Sequence, residues 1–333
     1  VGHVTVEEGV TLTIDPGVEV QFNGYYYLRI YGILDAQGTA ADMITFTSNQ
    51  PSPAAGDWSG INLYGSNIST IRYAIVEYAY VGVNISSISG QNYTVEDCVI
   101  RNNWRGVSIQ NPSGATIRNN TIEDNTEMGI YVGATSRGDS SPAIDSNLIQ
   151  GNDIGISFNG GSASAVTNNT IINNTTYGLD LRISQYGFFH GTINNNSIYG
   201  NGDYNLHVYT NANTYLIDAR NNWWGTTDVT SILSGIYDWL DDDDLARVDF
   251  LQFLDGPDGS PIQDSYVYGP INQDTTWTLA DSPYIVVGHV TVEEGVTLTI
   301  DPGVEVQFNG YYYLRIYGIL DAQGTAADMI TFT

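Results

Sequence analysis

Carboxylates, tyrosines and asparagines supply most of the reactive side chains in this 333-residue chain, with 37 Asp+Glu against 10 Lys+Arg, 24 Tyr and 4 His. Acid–base work on a sugar needs two carboxylates held at a fixed gap. Glu96, Asp97, Asp124, Asp145, Asp153 and Asp180 are the candidates, and their spacing gathers them into no common cluster. Arg101, Arg105 and Arg118 fall near Asp97, Glu123 and Asp124, which reads as ion pairs between neighbouring coils, each of small worth. A nucleophile triad needs Ser beside His beside Asp. His3, His190, His207 and His289 belong to no such motif, nor to one with metal-ligand spacing. The densest acidic run is Asp238, Asp241, Asp242, Asp243 and Asp244. Calcium takes about six to eight oxygens, so this run is the one calcium candidate, with a solvated acidic loop as the alternative. No other cofactor and no catalytic residue is assigned, and the expectation is a protein that is not an enzyme. Tyr25, Tyr26, Tyr27, Tyr73, Tyr78 and Tyr80 suit either a sugar-stacking face or stacking of one coil on the next.

The formal net charge of −27, with arginine as the only basic residue type, leaves no basic stripe for nucleic acid. No run of about eighteen apolar residues exists to span a membrane. A single cysteine, Cys98, excludes an intrachain disulfide. Asn-x-Ser/Thr triplets begin at Asn67, Asn84, Asn92, Asn119, Asn168, Asn173, Asn174 and Asn195, and permit glycosylation in a secreted protein.

The elements that carry these side chains follow a short repeat. It runs through TVEDCVIRNN (94–103), TIRNNTIEDN (116–125), AIDSNLIQGN (143–152), AVTNNTIINN (165–174) and TINNNSIYGN (192–201). One column reads Cys98, Asn120, Asn147, Asn169, Asn196, and a second reads Asn103, Asn125, Asn152, Asn174, Asn201. Both advance in steps of 22, 27, 22 and 27 residues. Apolar residues alternate after each second column, as at Ile130 and Val132 or Leu179 and Leu181, and period two means strands with one buried face. Gly82, Gly106, Gly129, Gly155, Gly178 and Asn205 are expected to take positive φ where the chain turns a corner. Stacked coils would bring the asparagines about 4.8 Å apart, as amide ladders. The fold expected is all-β, a right-handed parallel β-helix solenoid, with one short helix near 228–240.

A longer repeat encloses the short one. Residues 1–47 recur letter for letter as 287–333, an offset of 286. The expected organisation is a β-helix unit over 1–254, a linker over 255–270, and the opening coils of a next tandem unit over 271–333. Within the unit lie opening coils (1–47), asparagine-ladder coils (70–222) and a closing segment (223–254). Such a chain reads as a window on a polymer of large identical units. Residues 287–333 are expected to adopt the same coils as 1–47.

These coils resemble the right-handed parallel β-helix superfamily, which includes pectate-lyase-like enzymes, phage tailspikes and surface proteins. GVTLTIDPGVEVQF (9–22), LDAQGTAADMITFTS (34–48), GDWSGINL (56–63), ARNNWWGT (219–226) and DFLQFL (249–254) resemble opening and closing segments of secreted bacterial and archaeal surface proteins of that fold. The resemblance implies an extracellular, cell-surface structural repeat of a filament, stalk or surface layer. Its partners would be further copies of itself, head to tail, and glycans. The alternatives are a carbohydrate-binding adhesin repeat and, after that, a polysaccharide lyase or hydrolase.

Overall fold

The computed structural model describes residues 2–65, 68–86, 93–110, 114–134, 140–182, 187–209, 215–262 and 265–333. Most of the chain winds into a right-handed solenoid built from three parallel sheets. The first has ten strands, from Val4–Val6 to Ile236–Tyr237; the second has eight, from Thr11–Ile14 to Thr192–Asn194; the third has eight, from Glu19–Phe22 to Ser197–Tyr199. One coil takes a strand from each, as in Ala115–Arg118, Thr121–Glu123 and Met128–Gly133. The alternating apolar residues form the core: Ile117, Ile122 and Ile130 are fully buried, and Val107, Ile130, Ile156, Leu179 and Leu206 follow one another in register. No helix among the described residues is long and apolar enough to cross a membrane.

The corners differ from the expectation. Gly82, Gly106, Gly129, Gly155, Gly178 and Asn205 do not have positive φ. The left-handed residue is instead the one just before each ladder position. Asp97, Asn119, Ser146, Asn168, Asn195 and Asn221 turn one corner, and Asn102, Asp124, Gly151, Asn173 and Gly200 the other. Left-handed backbone costs roughly 1–2 kcal/mol for an ordinary residue and least for Gly, Asn and Asp, which explains their prevalence here. The glycine column serves space instead. A Cβ on Gly129 would lie 2.8 Å from the Gly155 carbonyl and 3.0 Å from Asn152 Nδ2, and Gly106 and Gly155 are as crowded. These glycines let the ladder amides of the next coil tuck beneath the strand.

The helix is shorter than 228–240 and covers Val229–Ser234. Asp228 caps it by accepting from the Ser231 amide at 3.0 Å, and Gly235 ends it. Ile236, spaced as a helical residue, instead joins the first sheet opposite Leu206. The stretch read as linker also yields structure, because a strand starts at Ser265 and runs to Ile271.

Residues 265–333 form a second, smaller core. Inside it, 287–333 keep the pairings of 1–47. Thr11 faces Ile33 as Thr297 faces Ile319, Val4 faces Leu28 as Val290 faces Leu314, and Glu19 faces Thr45 as Glu305 faces Thr331. No strand pairing among the described residues joins the two blocks. Aromatic packing joins them: the Tyr268 ring lies 5.5 Å from Phe250 and Tyr266 lies 5.9 Å from Phe253. The Tyr268 hydroxyl donates to the Val248 carbonyl, and Val287 sits in the main core.

Candidate functional site

The two asparagine columns are buried corner ladders. In the first, the amides of Cys98, Asn120, Asn147, Asn169 and Asn196 donate to the side-chain oxygen one coil on, ending at Asn222, over 2.9–3.0 Å. Each ladder Nδ2 donates to that same oxygen and to a carbonyl of the preceding coil, as Asn147 does to Asn169 and to Ile117. Asn103, Asn125, Asn152, Asn174 and Asn201 do likewise at the second corner. That column stops at Asn205, whose side chain fills the slot a further ladder asparagine would occupy. Every buried amide is thereby satisfied, which burial requires. Burial pushes the Cys98 thiol up to about 12, so it packs at the column's end and is no nucleophile at neutral pH.

A polar cluster stands on the outer face of the first sheet. Register aligns Asn84, Ser108, Tyr131, Ser157, Asp180, His207 and Tyr237 on successive coils. Asp180 is fully buried. It accepts from Ser157 Oγ at 3.3 Å and from Arg182 Nε, and pairs with His207 Nδ1 at 3.0 Å. The His207 ring lies flat on Tyr177 at 4.3 Å, with Tyr237 5.3 Å away. The Asp180 carboxylate on Nδ1 holds the imidazole ring in one orientation. Ser157 bonds the carboxylate and not the imidazole, so the trio lacks the order of a nucleophile triad. Asp180, expected to belong to no cluster, is carried onto His207 by the 27-residue step between coils.

The other candidates are dispersed. Asp238 is buried, and its carboxylate accepts from the amides of Leu240 at 2.9 Å and Val248 at 2.7 Å. Asp241 accepts from the Asp238 amide, Asp242 from the Asp244 amide, and Asp243 is exposed. The run is therefore tied into its own turns, and no group of three acidic, His or Cys side chains among the described residues could hold a metal ion. The arginines pair with carboxylates other than those expected: Arg101 with Glu77 at 3.0 Å, Arg118 with Glu96 at 2.8 Å, and Arg105 with Glu127. Asp97 takes Arg72 at 3.0 Å. Of the sequons, Asn119, Asn168, Asn173 and Asn195 are exposed, and Asn84 is half-buried with its amide on Asn62. Asn174 is a buried ladder member and has no free amide to modify. Asn67 and Asn92 lie outside the described residues. Tyr27 stacks on His3 at 3.9 Å, and Tyr80 stacks on Trp104 of the next coil.

An apolar groove lies along the edge strands of the first described coil. Val4–Val6, Thr11–Ile14 and Glu19–Phe22 each end their sheets. Val4, Leu12, Ile14, Val18, Val20, Phe22 and Leu28 line a groove of about 360 Å³ there.

Residues 59–223 match the family described as a right-handed β-helix region, so the central coils are a domain of that type. A similar curated protein is Protein bark beetle of Drosophila melanogaster, 34% identical over 146 residues. That alignment covers 37% of this chain, and the chain spans only 4% of that protein's length. Among solved structures, an alginate lyase from Paenibacillus sp. str. FPU-7 aligns over 97% of this chain and 98% of its own. The identity is 13% and the TM-score 0.29. With a β-helix enzyme as structural neighbour, the expectation that the chain is not an enzyme does not stand. A likeness at that score carries neither substrate nor residue roles across.

Proposed function

We propose that this right-handed β-helix chain is a structural repeat of an extracellular filament, stalk or surface layer, joined head to tail with further copies of its unit. The supporting observation is the duplicated segment: two identical stretches, 286 residues apart, take up the same strand pairings. A unit that restarts its own first coil after its last is built to continue. Ten strands in the longest sheet at about 4.8 Å give each unit a length on the order of 50 Å. The acidic surface keeps such a polymer soluble. The exposed sequons at Asn119, Asn168, Asn173 and Asn195 would carry glycans on its flank. Electron microscopy of the native polymer tests the reading. Thin rods with an axial repeat near one unit length are expected, and isolated particles without axial order would contradict it.

A second reading rests on Asp180 and His207. An imidazole flanked by Tyr177, Tyr204 and Tyr237 suits a carbohydrate, whose ring faces stack on aromatics. It would make the unit an adhesin repeat or a polysaccharide-cleaving one. Glycan-array binding tests the first form. Polysaccharide turnover that falls at least a hundredfold in His207→Ala tests the second.

A further inference from the structure

A cavity with polar and aromatic walls opens at the joint between the two blocks. The closing segment supplies one wall. Leu216–Asp218 pairs with Arg247–Asp249, and the Arg247 amide donates to the Tyr215 carbonyl at 3.0 Å. The Trp239 amide donates to the Ala246 carbonyl at 3.3 Å, which holds Trp239 beside them. The second block supplies the other wall. Asn272 and Gln273 follow the strand Ser265–Ile271, and the Glu293 amide donates to the Ile271 carbonyl at 3.1 Å. Together these six residues line a volume of about 610 Å³. That is a usual size for a small-molecule site, and such sites favour interfaces of this kind. A neighbouring cavity of about 270 Å³ shares Arg247, Asn272 and Gln273, so the cleft continues past the guanidinium.

The polar groups of this lining are unspent. Among the described residues, the side chains of Trp239, Arg247, Asn272, Gln273 and Glu293 make no hydrogen bond and no ion pair. Six other arginines do pair with carboxylates. Arg247 and Glu293 face one cavity without meeting. The backbone makes room for the guanidinium. Gly269 has a φ of 79°, beside a shift of register in its strand pairing, and a Cβ there would lie 2.7 Å from Arg247 Nη1. Bulges of this kind re-aim side chains next to sites.

We infer that the cavity binds a neutral carbohydrate, a pyranose unit of a glycan. Trp239 and Tyr215 offer apolar ring faces to the C–H face of the sugar. Each sugar hydroxyl both donates and accepts, so it can use the Arg247 donors, the Glu293 acceptors and the two amides together. A uronate or a sulfated sugar would satisfy Arg247 but meet Glu293 and a chain of net charge −27. The site is separate from Asp180 and His207, and it stands whether or not units join head to tail.

Isothermal titration calorimetry on the full chain tests the assignment. The probes are cellotetraose, maltotetraose, xylotetraose, mannotetraose and chitotetraose, with trigalacturonate as the anionic comparison. Saturable binding of at least one neutral probe is expected, at least tenfold tighter than trigalacturonate. Trp239→Ala should weaken it at least tenfold. Gln273→Ala should weaken it at least threefold, and because that side chain is exposed and bonds no described residue, the variant should fold. His207→Ala should leave it unchanged. Failure of every neutral probe to bind, or tighter binding of trigalacturonate, would overturn the inference. So would binding unchanged in Gln273→Ala or in a folded Trp239→Ala. Binding lost in His207→Ala alone would place the sugar on the first sheet and equally overturn it.

Discussion

Residues 1–47 and 287–333 have the same sequence and the same strand pairings, yet they bury opposite sides of themselves. The first copy is backed from below by the ladder coils: Leu34 and Phe46 are both fully buried. Their counterparts Leu320 and Phe332 are 39% and 48% exposed. The second copy is covered from above by 265–286, and there the first copy is bare. Local sequence therefore sets strand, turn and register, while the neighbouring coil decides what is core. That division is expected of a solenoid, whose stability is a sum of coil and interface contributions.

The largest contrast concerns the lower edge. Phe46→Ala should cost about 3–5 kcal/mol, and Phe332→Ala less than about 1 kcal/mol. Chemical denaturation checks this, with a local probe for each block because solenoids often unfold in parts. At the upper edge the order reverses. Leu298 is fully buried and Leu12 half-buried, so Leu298→Ala should cost about 2–4 kcal/mol and Leu12→Ala clearly less. Equal costs in either pair would break the comparison.

The ladder coils supply an internal standard. Asn152→Ala removes the acceptor for the Asn125 amide and for Asn125 Nδ2, leaving buried donors unpaired at a cost of about 1–3 kcal/mol each. Gly129→Ala should cost about 1–3 kcal/mol by forcing two coils apart. Amide exchange in the adjacent coils would register both.

A pH-dependent effect lies at the joint between the blocks. Burial raises the Asp238 carboxyl to about 6, above its unfolded value of about 4. The folded state then binds this proton more tightly, so the contribution of Asp238 to stability is full below about pH 4 and is lost as pH rises to about 6. The loss is at most on the order of 3 kcal/mol. Burial raises Asp241 and Asp249 in the same direction, so Asp238→Asn should flatten the slope without abolishing it. A slope unchanged in that variant would place the proton elsewhere.

The sequence made the solenoid legible because its columns repeat at constant offsets, and an amide ladder needs one residue type at one place in every coil. The corners fall a few residues before the expected positions. Glycine commonly signals positive φ, whereas here Gly106 and Gly129 supply room and Asn119 and Asn168 supply the turn. The helix is shorter than expected because Ile236 satisfies helical spacing and strand pairing alike, and the edge of the first sheet takes it as a strand. The Asp180–His207 pair faces outward, where residues obey the same register as the buried columns without their apolar signal.

Amide exchange in the two identical segments tests the central claim most directly. The copies yield identical peptides, so each must be labelled separately by segmental isotope ligation and followed by NMR. The amides of Glu293, Asp301 and Asn309, bonded to 265–286, should exchange orders of magnitude more slowly than those of Glu7, Asp15 and Asn23. Equal exchange in the two copies would contradict the account.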